Sequence, residues 1–227
     1  MPVEAQPAAQ GHAIRRPQRL GDEVYDALYS QLMSLRIPPG ARIGVDHLVR
    51  ELGVSQTPIR EALSRLEAQG LVVKTHLVGY SAATQIDEAR LGHLYDLRLL
   101  LEPYAARQAA RHMSDEELTQ LQALDQGMRE IQGAGREAYG LFASRDGQFH
   151  DLIAQGSGNP LVRDALVRLH THVHLFRLFY LASATRGANA EHAGIVEALA
   201  RRDPEAAEQA MRAHVERSRE RFIEAAQ

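Results

Sequence analysis

Apolar residues in the first third of the chain recur at helical spacing in three short stretches. Val24, Leu28, Leu32 and Leu35 mark one face of a helix from Gly21 to about Arg36, which Pro38, Pro39 and Gly40 bring to an end. Leu48, Val49 and Leu52 give a shorter helix its apolar side, and Gly53 stands where a left-handed cap is wanted. A third helix is expected to be capped by Thr57, with Pro58 at its first position and Gly70 at its close. Ile59, Ala62, Leu63 and Leu66 share its buried face, whereas Gln56, Arg60 and Ser64 line the other. "LVVKTHLVGYSAA" then breaks the helical pattern. It is β-rich with one glycine, and predicts a two-stranded hairpin over 71–83.

Beyond Thr84 only helical periodicity is left. Ser114 and Glu117 make a capping box for a helix reaching about Gln132. "GAG" at 133–135 and "GSGNP" at 156–160 read as breaks. Asn159-Pro160 starts a helix to about Leu181, "SATRGAN" reads as a loop, and Asp203-Pro204 caps the last helix. The expected fold is therefore mainly α. A flexible arm occupies 1–17, and a unit with the plan of a winged helix-turn-helix occupies 18–84. An antiparallel, all-helical bundle of six or seven helices occupies 85–227.

Composition adds exclusions more than assignments. The chain has 227 residues, 44% hydrophobic and 24% charged, the ordinary range of a globular protein. A net charge of −3 does not announce a nucleic-acid binder, although residues 15–83 carry nine Lys and Arg against seven Asp and Glu. The absence of cysteine excludes disulfides and thiolate metal sites, and fits a reducing cytoplasm. No apolar run approaches the ~20 residues of a membrane span, and the first seventeen residues do not resemble a secretory leader. A cytoplasmic protein with no membrane partner is expected.

In a winged helix-turn-helix the third helix enters the major groove. Arg60 suits a guanine edge or a phosphate, Gln56 suits adenine, and Thr57 and Ser64 suit backbone phosphates. The hairpin tip from His76 to Gly79 would lie over the neighbouring minor groove or backbone. The same geometry also occurs in purely structural bundles, where such an arginine is merely solvated. The run "PPGARI…LVRELGVSQTPIREALSRLEAQGLV" resembles the N-terminal domain of the GntR family of bacterial transcription regulators, from about Val24 to Gly79. The resemblance implies base contacts from positions 56 and 60, with Thr57 and the wing on the backbone. The family commonly has Arg where Gln56 stands, and a Pro-Gly pair is frequent where this chain has His76-Leu77.

The helical half carries two histidine groups. In "HTHVH", His170 and His174 share a side while His172 points away, with nothing nearby to complete a ligand set. In "DGQFH", Asp146 and His150 lie four apart, on the same side as Phe142 and Ile153. His192 lies on the stripe of Ile195, Val196 and Leu199, and His214 continues that of Ala207 and Met211. Four polar groups on core-facing stripes are costly to bury unless paired. A divalent metal is one partner, with zinc first and nickel or manganese also suited to the set; mutual pairing or backbone carbonyls are the other. Arg98 beside Leu94, Leu97 and Leu101 is partly inward, either to receive a carboxylate or to pair with Glu102.

"YDLRLLLEPYAARQAA", "DGQFHDLIAQGSGNPLV" and "EHAGIVEALARRDPEAAEQAMRAHV" resemble the FCD ligand-binding domain of the FadR-like branch of that family, over about residues 88 to 218. The resemblance implies a metal on Asp146, His150, His192 and His214, and a small organic acid as effector. The function expected is that of a ligand-responsive regulator, a homodimer on a near-palindromic double-stranded DNA operator. A metallohydrolase fits less well, because no further acid or base accompanies the metal ligands and the first unit would be left without a role. A metal sensor would keep the DNA unit and make the ion itself the signal.

Overall fold

The computed structural model describes residues 18–132, 135–178 and 182–224; the arm expected over 1–17 lies outside them. The first unit is built from α1 (Gln18–Met33), β1 (Arg42–Ile43), α2 (Val45–Leu52), α3 (Gln56–Ala68), β2 (Val72–Thr75) and β3 (Gly79–Ala82). Val24, Leu28 and Leu32 of α1 pack against Ile59, Leu63 and Leu66 of α3, all buried, with Leu48 of α2 and Val72, Tyr80 and Ala82 of the sheet closing the core. The apolar stripes read from the sequence thus supply this core, with Leu35, Val49 and Leu52 only partly buried.

The hairpin is part of a three-stranded antiparallel sheet of order β1-β3-β2. β1 pairs Ile43 with Tyr80 on the side of β3 away from β2, and at two residues it is too short to leave a periodic signal. α1 stops at Met33, short of Arg36, where Leu35 takes φ 59. Thr57 is not the cap of α3: that position is Ser55, and Pro58 is third in the helix. The third N–H of a helix has no partner within it, so proline fits there as well as at the first position. Gly53 ends α2 as expected, at φ 66 with its N–H on the Val49 carbonyl. No atom lies within 4 Å of where its Cβ would be, so Gly53→Ala incurs only the left-handed backbone cost. A loss of about 1–2 kcal/mol is expected in urea melts.

Seven helices follow among the described residues: α4 (Glu88–His112), α5 (Asp115–Arg129), α6 (Arg136–Gly156), α7 (Pro160–Arg168), α8 (Thr171–Leu178), α9 (Ala182–Ala200) and α10 (Pro204–Glu224). The Ser114–Glu117 capping box is formed in both directions, and Asn159 caps α7 by accepting from the N–H groups of Leu161 and Val162. Their second core gathers Tyr95, Leu121, Phe149, Ile153, Ile195, Met211 and Val215. Two expectations fail here. The helix expected from 160 to 181 is broken at His170, which takes φ 47 between α7 and α8. "SATRGAN" is helical, within α9. Its glycine reflects close packing and not a turn: a Cβ on Gly187 would lie 3.2 Å from Nη1 of Arg221.

Candidate nucleic-acid interface and metal centre

The front of α3 presents Gln56, Thr57, Arg60 and Ser64, all exposed, while Ile59, Ala62 and Leu63 between them are buried. Gln56 donates from Nε2 to Asp46 Oδ1 of α2 at 2.9 Å, and Arg60 Nη2 lies 3.4 Å from Gln56 Oε1. The two side chains are thus held side by side on the outer face. At the wing, His76 and Gly79 are exposed, Leu77 is 94% exposed at φ 62, and Arg42 Nη2 donates to the Val78 carbonyl. A 94% exposed leucine at a hairpin tip contributes nothing to a core and is free to meet another surface.

In the helical domain the four expected ligands come together. His150 on α6, His192 on α9 and His214 on α10 each offer a ring nitrogen, and these nitrogens lie within 4.8 Å of one another. Asp146 Oδ1 lies 3.3 Å from His192 Nε2 and 3.9 Å from His150 Nε2. Three nitrogens held 2.0–2.1 Å from one tetrahedral ion lie about 3.4 Å apart, so seating an ion draws the rings together by up to about 1.4 Å.

Both ring nitrogens of His192 and Nε2 of His150 are buried without a hydrogen-bond partner among the described residues. Pairing among the histidines therefore does not satisfy them. Burial, with His214 and His150 close by, holds the His192 pKa well below the ordinary value, and burial also lowers that of His214. Both imidazoles stay neutral at pH 7, the form in which imidazole ligates a metal. The residues present fit a divalent ion.

Two carboxylates stand behind the ligands. Glu102 Oε2 of α4 lies 2.8 Å from His150 Nδ1, and Glu191 Oε2 of α9 lies 2.9 Å from His214 Nδ1. Glu191 hydrogen-bonds His214 Nδ1, and Glu102 stands at ion-pair distance from His150 Nδ1, so Nε2 of each ring is the nitrogen left for an ion, the arrangement that fixes ring orientation in metal sites. Burial would raise the Glu191 pKa, but His214 and Arg221 outweigh it and hold it at about 2. Arg98 is 2% exposed and pairs with Glu102, Nε to Oε1 at 2.6 Å and Nη2 to Oε2 at 3.3 Å, while its Nη1 has no partner among the described residues. The two readings of Arg98 are thus compatible: one edge is paired and one N–H is free for an acid.

Glu191 and Arg221 were not singled out by the sequence. Arg221 follows His214 by seven residues on the same face of α10, a signal that could have found it. Glu191 has no such signal, since only the packing of α9 on α10 brings it to His214. His172 does not point away. Its ring lies against α6, where a Cβ on Gly147 would be 2.9 Å from Cγ, and with Asp146 it lines a small cavity inside the helical domain. The break at His170 re-phases α8 and turns His172 inward.

The gntR family of bacterial regulatory proteins matches at residues 20–80, and the FCD domain at residues 93–217. The chain belongs to the gntR family and carries an FCD domain. It is 27% identical over 195 residues to the uncharacterized HTH-type transcriptional regulator YdhC of Bacillus subtilis, covering 85% of this chain and 86% of that one. Identity is 30% over 203 residues to a probable D-xylose utilization operon transcriptional repressor of Paenarthrobacter nicotinovorans, covering 86% and 85%. The fold is that of E. coli McbR/YncC, with a TM-score of 0.68 at 21% identity over 92% of this chain and 99% of the other. The protein is a transcriptional regulator of this family, and among the described residues no helix is long and apolar enough to cross a membrane.

Proposed function

We propose that the protein is a ligand-responsive regulator working as a homodimer in the cytoplasm. Two winged units bind a near-palindromic operator, and a small organic acid in a metal-containing helical domain modulates that binding. The first unit spans 18–84 and the second 85–227. The observation that carries the reading is the convergence of three histidines, two of them (His150 and His192) with unpartnered buried nitrogens, beside a buried arginine with one free N–H. A bound divalent ion supplies open coordination positions for a carboxylate. Asp146, His150, His192 and His214 hold it, Glu102 and Glu191 orient two of the rings, and Arg98 receives the acid.

Dimer formation is supported by an apolar stripe on α4. Leu97 is 43% exposed, Leu100 71% and Tyr104 41%, at the spacing of one helix face. One recognition helix reads only a few base pairs, and two related by a two-fold axis supply the missing specificity.

The DNA arm is tested with operators selected from a randomised duplex pool. Arg60→Ala is expected to leave the melting temperature unchanged, since the side chain is exposed. It should weaken specific binding by about 1–3 kcal/mol per half-site in fluorescence anisotropy. Unaltered affinity would remove Arg60 from the interface. Gln56→Arg should change the selected sequence more than the stability, and an identical selection would remove position 56.

A further inference from the structure

A cavity of about 480 Å³ opens between the two units. Its inner end is formed by Arg98, Glu102, Asp146 and His150. The outer wall belongs to the winged unit: Tyr25 and Tyr29 of α1, and Ala68 and Gln69 where α3 ends. His170 and Thr171, at the junction of α7 and α8, close the third side.

The units are in contact here, not merely facing one another. A Cβ on Gly70 would lie 2.6 Å from Cδ2 of His170. Tyr139 and Ala143 of α6 are buried with the core of the winged unit. They precede Asp146 by seven and three residues, so the face of α6 that carries the metal ligands continues into the winged unit. The wall is also tied to the recognition helix, since the Tyr25 hydroxyl donates to Gln69 Oε1 at 2.6 Å and Arg65 lies over the Tyr25 ring at 4.1 Å.

The lining specifies an occupant. Among the lining residues Arg98 is the one arginine or lysine, and it sits at the inner end. The outer half offers the amides of Gln69 and Gln148 and the hydroxyls of Ser144 and Thr171, with Asp26 adding negative charge. A second anionic group placed there would be repelled, whereas hydroxyls find both donors and acceptors. Tyr25 and Tyr29 stack at 5.9 Å and line this wall with aromatic carbon, against which the C–H groups of a polyol can pack.

We propose that this cleft is the outer half of the effector site, completed by α1 and the end of α3, and that it takes the hydroxylated end of a monocarboxylic acid. One molecule then touches both units, and filling the site and docking the winged unit become one linked equilibrium. The proposal rests on the reading of the inner end as metal-assisted carboxylate recognition.

The test is calorimetric titration of the zinc-loaded full chain with acetate, glutarate, D-gluconate and D-glucuronate. At least one of the two hydroxylated acids is expected to bind tenfold or more tighter than acetate, and glutarate is not. Gln69→Ala should abolish that advantage while acetate, too short to reach the outer wall, keeps its affinity. Because the chain has no cysteine, Ala68→Cys carries a single thiol on an exposed wall position. Its reaction with N-benzylmaleimide should exclude the hydroxylated acids and spare acetate, without reliance on a truncated side chain. A preference for glutarate, no advantage for either hydroxylated acid, or an advantage that survives both changes overturns the bridging role. Acetate binding that is unaffected by chelating the zinc overturns the inner-end reading instead.

Discussion

Protein purified without chelator is expected to carry close to one divalent ion per chain, and His192→Ala or His214→Ala to lose it. Structural zinc in small domains is worth about 10–16 kcal/mol shared among four ligands, so deleting one costs about 3 kcal/mol, on the order of 100-fold in affinity. His192 is the more diagnostic of the two, being 0% exposed with both nitrogens unpartnered among the described residues. Without an ion it is a buried polar liability, and in the chelated protein His192→Ala should therefore cost less stability than truncating a well-satisfied core residue. Glu191→Ala, behind the proposed ligand His214, should weaken the metal by about 10–100-fold. His47, exposed on α2, serves as the control and its alanine variant should retain full metal. His172 would not serve as a neutral control, because its ring lies against α6 beside Asp146. Elemental analysis decides the matter: wild type free of metal after incubation with zinc, nickel and manganese would leave the site to hydrogen bonding alone.

Glu102→Ala is expected to destabilise the chelated protein by about 3–5 kcal/mol, because it strands the buried Arg98 guanidinium without its counter-charge. Burial alone would raise the Glu102 pKa, but Arg98 and His150 outweigh it and hold the carboxyl well below the usual range. Its stabilising contribution is therefore present above the ordinary glutamate pKa of about 4.3 and is lost as pH falls below it. The single variant should accordingly show a shallower loss of stability on acidification than wild type. Replacing both partners, Arg98→Met with Glu102→Leu, should restore most of the thermal stability, since a buried pair can be exchanged for apolar packing at little cost. The double variant should still fail to respond to carboxylic acids. Denaturant melts of the single and double variants separate the two outcomes, and a double variant as unstable as Glu102→Ala would show that the pair is not the cause.

The winged unit was the most legible part of the chain. Ile59, Ala62, Leu63 and Leu66 at helical spacing, Gly53 after an apolar turn and a β-rich run with one glycine are local signals. Each was enough to place an element, because the residues that define it lie within a turn or two of one another. The exceptions are equally local in cause. β1 is two residues long, and Ser55 takes the cap of α3 because Pro58 is accommodated anywhere in a first turn. Ser, Thr, Gly and Asn in "SATRGAN" advertise a loop, yet Gly187 is a close-packing position against Arg221 inside α9. Propensity yields there to tertiary contact.

For the metal centre, sequence alone determined which residues face inward: Asp146 with His150, His192 and His214 each fall on an apolar stripe, and a stripe is a property of one helix. Which stripes meet is a property of how helices pack. Only the tertiary structure sets Glu102 on His150 and Glu191 on His214, turns His172 toward Asp146 through the left-handed break at His170, and lays α1 and the end of α3 along the mouth of the site. These contacts join residues far apart in the chain, and periodicity carries the facing of a residue within its own helix but not the identity of the neighbour across the interface.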